Sequence, residues 1–298
     1  MSSTQKHKFK IKDVPKLLKR TFILWNESDP FRLSAIVAYY AILSLPALLI
    51  IVIFVVENIW GTEILEGKLT GEFSSAFGKE TAQSVESMIE SARIQDGNLL
   101  NKVIGIATLI FGATGVFFHL QISLDKIWNA SEDSSEGFWQ IVKDRVLSFG
   151  FVLVLGFLLL ISLVVSSLLS ALNEKLKSIF PDVYVVTAQV LDFVISTGFV
   201  WLLFSLLFRY LPHKPIHWKS VWVGGLLTAL LFDLGKGLLA FYFGEAEPDS
   251  TYGAAGSVVL LLLWVSYSCL ILFFGAQFTY VYAENYGSLR ENNPENKD

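Results

Sequence analysis

Six long runs of apolar residues, at about 33–56, 103–124, 146–172, 183–208, 221–243 and 254–282, alternate with shorter polar stretches along the chain. A bilayer core of about 30 Å takes about 20 apolar residues of helix, so each run is long enough to cross it. None shows the every-second-residue alternation of a barrel strand. The third and sixth exceed the minimum and predict tilt or projection beyond the hydrocarbon. The pattern predicts an all-α, polytopic integral membrane bundle of six transmembrane helices.

Two further stretches carry a weaker, amphipathic pattern. In 13–28, Val14, Leu17, Leu18, Thr21, Phe22 and Trp25 recur at helical spacing, with Lys16, Lys19 and Arg20 on the other face. That is the pattern of a helix lying on a membrane surface. In 57–102, Ile64, Leu65, Leu69 and Phe73 and then Val85, Met88, Ile89 and Ala92 predict short helices, punctuated by Gly61, Gly71, Gly78 and Gly97. Such a segment can gate a cavity or simply cover helix ends. The chain divides into a basic arm with an interfacial helix (1–32), a transmembrane domain with a helical extracytoplasmic loop (33–282, loop 57–102) and a polar tail (283–298).

Charge gives the direction. Sixteen Lys and Arg flank the side that holds both termini and six flank the other; the remaining one, Lys236, lies inside the fifth run. The positive-inside rule puts both termini in the cytoplasm, which agrees with an even number of spans. The basic arm would be drawn to anionic headgroups, although it also reads as a plain orientation signal. The long loop is acidic, with Glu57, Glu63, Glu66, Glu72, Glu80, Glu86, Glu90 and Asp96.

Composition then narrows the classes. Hydrophobic residues make up 53% and charged residues 17% of the 298, against roughly 25% charged in soluble proteins. The single cysteine, Cys269, excludes an internal disulfide framework, and a net charge of −4 argues against a nucleic-acid-coating surface. No P-loop glycine pattern appears. The four histidines, His7, His119, His213 and His217, are scattered, and Pro212 and Pro215 oppose a helical metal pair at 213 and 217. No enzyme activity, cofactor or metal is expected.

Several motifs recur in a recognisable order: Tyr39-Tyr-Ala-Ile-Leu-Ser-Leu-Pro46, Phe118-His-Leu-Gln-Ile-Ser-Leu-Asp-Lys-Ile-Trp128, Arg209-Tyr-Leu-Pro212, Trp222-Val-Gly-Gly225, Leu234-Gly-Lys236, Tyr252-Gly-Ala-Ala-Gly256 and Gly275-Ala-Gln-Phe278. Together, over about 15–286, they resemble the YihY/BrkB family of bacterial inner-membrane proteins. The resemblance implies a six-helix inner-membrane protein of a group labelled permease or transporter, and once labelled ribonuclease BN. A nuclease would need metal-holding carboxylates or paired histidines in a soluble cleft, which this chain does not offer. Family members commonly carry Glu where this chain has Gln277, and an uncharged residue where it has Asp233.

Asp233 and Lys236 are the sharpest candidates. A charge inside a bilayer costs at least about 2.5–3.5 kcal/mol and usually marks a pathway or a paired site. At i,i+3 the two can neutralise each other, and Asp233 would then replace the family's last-span Glu as counter-ion. The alternative is a permanent lock between helices. Pro46 breaks the first span one turn or two after Tyr39, Tyr40 and Ser44, either to line a polar cavity or as a packing kink. His119, Gln121, Asp125, Trp128, Arg209 and Pro212 gather near the cytoplasmic ends, where Trp128, Trp139, Trp218 and Trp222 also fit an aromatic belt. Gly112, Gly115 and Gly253–Gly256 suit close helix packing. Membrane lipids and a lipid or small-molecule substrate are the expected partners, with no nucleic acid; a homo-oligomer is compatible. The reading is a transporter or lipid translocator, and its alternative a membrane scaffold that transports nothing. No inverted repeat relates residues 33–172 to 183–282.

Overall fold

The computed structural model describes residues 11–44, 114–130, 150, 181–214, 216–246 and 256–286. They form six α-helices and one 3-10 turn, with no strand among the described residues. After the 3-10 turn at Ile11–Asp13 come α1 (Val14–Glu27), α2 (Pro30–Ser44), α3 (114–127), α4 (Pro181–Tyr210), α5 (Trp218–Ala246) and α6 (Gly256–Tyr286). Three are long and apolar enough to cross a membrane, through Phe193–Tyr210, Trp218–Leu239 and Val258–Tyr286. Only 28%, 33% and 28% of those windows are buried. Many of the remaining side chains in these windows are half-buried, so the protein covers much of each helix only in part. The expected third span, residue 150 excepted, Pro46, Gly112, Gly253 and the 57–102 loop lie outside the described residues.

Local chemistry sets the helix ends. Asp29 adopts a left-handed φ of 58°, which a short polar side chain tolerates, and Pro30 opens α2 with its φ already helical. Arg32 returns to Asp29 at 3.2 Å. Asn129, at φ 43°, ends α3. Its N–H donates to Lys126 O at 3.3 Å, and the Ala130 N–H donates to Asp125 O at 2.9 Å. This double closure satisfies carbonyls that the last helical turn leaves unpaired.

The core gathers at one end. Leu33 and Val37 of α2, Phe117, Leu120, Leu124 and Ile127 of α3 with Trp128 just after it, Phe204, Leu207 and Phe208 of α4, Leu211 and Ile216 of the following turn, Val221 and Ala229 of α5, and residues of α6 from Cys269 to Ala283 supply its buried side chains. Lys16, Lys19, Arg20, Arg32, Lys126, Arg209, Lys214 and Lys219 belong to this same end, here termed the basic end. In the distal halves of the described helices the single Lys or Arg is Lys236.

Two reciprocal contacts lock α5 against α6. A Cβ on Gly224 would overlap the Thr279 hydroxyl, and one on Gly275 would overlap that of Thr228. Each threonine donates along its own helix, Thr228 Oγ1 to Gly224 O and Thr279 Oγ1 to Gly275 O, both at 2.7 Å. Their hydroxyls are thereby satisfied without leaving the contact. Gly235 meets Tyr267 and Ile271 farther along, and Gly225 meets Ser205 and Trp201 of α4. The tight crossings thus fall at these glycines. At Gly115 a Cβ would make only an ordinary 3.7 Å contact with Tyr40.

The interfacial helix is partly a protein-docked one. Leu17 and Thr21, expected to face lipid, are buried, and Leu17 packs with Phe278 and Val281 of α6. Arg20 pairs with Glu284 at 2.8 Å, and the Tyr286 hydroxyl donates to Asp13 Oδ2 at 2.9 Å. The helix keeps Phe22, Ile23, Lys16 and Lys19 exposed, which retains the surface character read from its sequence.

Replacing Gly224 or Gly275 with Ala should destabilise the bundle by about 1–3 kcal/mol, the usual cost of overpacking a close contact. Gly237, whose Cβ would meet nothing within 4 Å, is the control. Its replacement by Ala should hold or raise stability, since Ala favours helix by about 1 kcal/mol. Thermal unfolding of the purified variants in detergent checks both.

Candidate functional site

The site begins with the face of α5 that carries Gly225, Ala229, Phe232 and Lys236, spaced four, three and four residues apart. Gly225 and Ala229 are buried. Phe232 lies between Phe204 of α4, centroids 5.7 Å apart, and Trp264 of α6, at 6.4 Å. One turn farther, the same face opens: the Lys236 side chain is 45% exposed. On the facing stretch of α4, Phe193 and Val194 are exposed too.

At this opening Lys236 Nζ pairs with Asp233 Oδ1 at 2.7 Å. Thr197 Oγ1, from α4, donates to Asp233 Oδ2 at 2.6 Å. The ammonium also lies 5.6 Å from the centre of the Phe232 ring, an arrangement that favours a cation. The carboxylate is therefore held from both sides on a side chain only 13% exposed, whereas the Lys236 side chain is 45% exposed. The i,i+3 neutralisation expected from spacing is present. Thr197 is the residue that sequence reading missed, since nothing in an isolated threonine of an apolar helix announces a partner 36 positions away.

Gln277 takes no part in this cluster. Gly224 opposes Thr279 and Thr228 opposes Gly275, so Gln277 is level with Leu226. Gly235 contacts Tyr267, ten residues or about 15 Å of helix from that level. A side chain at 277 is therefore not placed to neutralise Lys236, and the idea that Asp233 substitutes for a last-span Glu fails on register.

The basic-end candidates assemble into a second constellation. Asp125 accepts the His213 backbone N–H at Oδ1, 2.8 Å, and faces the imidazole Nδ1 from Oδ2, 2.6 Å. Sequence alone offered His213 no nearby carboxylate; folding brings one from 88 positions away. Lys214 donates to Trp128 O at 3.3 Å and lies 5.1 Å from the Tyr280 ring centre, and Lys126 donates to Ser28 O at 3.3 Å. Two lysines thus sit at the negative C-terminal ends of α3 and α1, where the helix dipole favours them. Trp128 is fully buried and donates Nε1–H to Ala276 O at 2.9 Å. Arg209 spans the α4–α5 turn, donating to Ile216 O at 2.6 Å with its guanidinium 5.9 Å from the Trp218 ring. Pro212 is buried in the same turn.

The remaining candidates are dispersed. Tyr40 stacks on His119 at 3.6 Å, while Tyr39 is exposed on the outer face of α2. Ser44 is buried and donates to Ala41 O of its own helix at 3.1 Å. Gln121 is buried with Oε1 unpartnered, a defect costing about 1–3 kcal/mol. Among the described residues no three His, Cys, Asp or Glu converge as a metal site.

The family model described as "Virulence factor BrkB" matches residues 22–298. The chain belongs to the BrkB family. It is 29% identical to a UPF0761 membrane protein of Verminephrobacter eiseniae (strain EF01-2), over 59% of this chain and 40% of that relative. It is 25% identical to the UPF0761 membrane protein of Pasteurella multocida (strain Pm70), over 75% of this chain and 66% of the relative. A Haemophilus influenzae (strain 86-028NP) homologue, also a UPF0761 membrane protein, is 25% identical over 76% of this chain and 81% of its own. The matched part of this BrkB-family chain spans about 40% of the length of the first of these relatives. No solved structure matches. With its apolar helices, the BrkB-family chain is a membrane protein.

The Asp125–His213 contact should act as a clasp between α3 and the 211–217 turn. Asp125→Ala removes both acceptors and should raise amide hydrogen exchange across 211–217, at a cost of about 1 kcal/mol for partly exposed bonds. His213→Ala leaves its backbone N–H on Asp125 and should have the smaller effect. Equal exchange in the two variants would contradict the two-bond clasp.

Proposed function

We propose that this chain is a six-span protein of the bacterial inner membrane, termini in the cytoplasm, that translocates a lipid or another envelope component across or within the bilayer. No covalent step, cofactor or metal enters the proposal. The observation that carries it is the Thr197–Asp233–Lys236 cluster at the place where the α5 face passes from closed to open. A pair kept only to lock helices would be expected to lie enclosed on both sides. Here the Lys236 side chain is 45% exposed while the same face is more closed toward the basic end at Gly225, Ala229 and Phe232. Closed on one side and open on the other is the form expected of one state in alternating access. The basic end would face the cytoplasm under the positive-inside rule, so the opening would face the outer leaflet. The dense aromatic packing of the basic end favours the second reading, a scaffold that moves nothing, and the same experiment separates the two.

The test is reconstitution into vesicles with labelled lipids from the bacterial envelope, following label movement between leaflets. The wild type is expected to accelerate movement of at least one class. Asp233→Asn and Lys236→Met should each slow it by at least about tenfold, the scale of one lost charge-assisted contact. The double variant should recover the thermal stability that either single variant loses, because it leaves no unpaired charge, while lipid movement stays slow. Wild-type vesicles that behave as protein-free ones across the panel would favour the scaffold.

A further inference from the structure

The geometry points to an oxyanion subsite at Lys236, fitted to the phosphate of an amphiphile and not to a cation or a neutral polar ligand. As an assignment of cargo it rests on the translocation reading; as a binding site it stands on the contacts alone. Both Asp233 oxygens are already engaged, Oδ1 by Lys236 and Oδ2 by Thr197, and the carboxylate is mostly buried. An incoming cation would find few free lone pairs and would meet the Lys236 ammonium first. That ammonium has three donors. One serves Asp233, and among the described residues it meets no other hydrogen-bond acceptor. The more exposed part of the cluster is thus the donor capacity of a positive group, whereas the acceptor capacity of Asp233 is mostly buried, and this favours a charge-bearing acceptor.

The surroundings supply the second half of the assignment. Thr197 opposes Asp233 and Ser205 opposes Gly225, a register that sets Lys236 level with Val194. Val194 and Phe193 are 58% and 54% exposed, one turn from Thr197 on its own face. An inorganic ion would gain nothing from these two side chains. An acyl or isoprenoid tail would bury them and gain about 25 cal/mol for each Å² covered. The site therefore pairs one cationic donor with a strip of apolar surface, the division expected for a lipid phosphate and its tail.

Native mass spectrometry of the full chain in detergent, titrated with phosphatidylglycerol, with diacylglycerol of the same tails and with inorganic phosphate, tests this directly. Wild type should retain phosphatidylglycerol at least about tenfold better than diacylglycerol, the scale of one charge-assisted hydrogen bond. Lys236→Arg should keep that preference, and Lys236→Gln should lose it. The Asp233→Asn, Lys236→Gln double variant, with neutral groups of similar shape, should lose it as well and guards against a folding defect. Equal retention of the two lipids by wild type would overturn the subsite. An undiminished preference in Lys236→Gln would do the same, by assigning binding to the basic end. Displacement of the lipid by millimolar inorganic phosphate would overturn the amphiphile assignment in favour of the free ion. Lost lipid movement with an intact preference would remove the translocation reading and leave the subsite standing, and the converse result would do the opposite.

Discussion

The architecture depends on how closely α5 and α6 approach. Two antiparallel helices with ordinary side chains at their crossing lie 8–10 Å apart. Here Gly224 receives Thr279 and Gly275 receives Thr228, so each helix presents a notch and a knob to the other. In lipid there is little hydrophobic drive to bring apolar helices together, and shape-matched contact takes over that role. The threonine hydroxyls add no polar cost, because each is bonded to a carbonyl one turn back. Once α5 is fixed on α6, its next face meets α4 through Gly225, and the basic-end core can close around Trp128, Phe208 and Phe273.

The two ends of this bundle obey different rules. At the basic end, several polar groups reach across elements: Trp128 to α6, Asp125 to the 211–217 turn, Lys126 to the end of α1. These bonds tie the helix ends to one another. Toward the distal end the helices carry exposed apolar residues such as Leu234, Leu238 and Val258. Among the described residues there, the single ionic contact is Asp233 with Lys236, which Thr197 ties to the neighbouring helix. The described residues thus bond across several elements at one end and through one polar tether at the other.

Much of this was readable in the sequence because it followed from local spacing. The long apolar runs foretold α4, α5 and α6, and the i,i+3 spacing foretold the Asp233–Lys236 contact. The matched Gly-x-x-x-Thr spacing of Gly224/Thr228 and Gly275/Thr279 was equally present, and small-residue packing was sought instead at Gly115 and near Gly253. What spacing cannot provide is which distant residue completes a pair. Thr197 for Asp233, Asp125 for His213 and Ala276 for Trp128 are set by register between helices, as is the separation of Gln277 from Lys236. The surface placement of α1 was half right for a related reason. Periodicity identified an apolar face, but not whether lipid or α6 would cover it.

The strap that α1 forms along α6 has a consequence for how the chain is made. Asp13 and Tyr286 are 273 positions apart, and Arg20 and Glu284 are 264 apart. Contacts of such separation form late, because the whole intervening chain must first be arranged. Since α1 is synthesised before α6, Leu17 and Thr21 wait for α6 before they find their protein partner. During that interval the apolar face of α1 needs somewhere to lie. A membrane surface, with Lys16, Lys19 and Phe22 to hold the helix there, would shelter that face until α6 arrives.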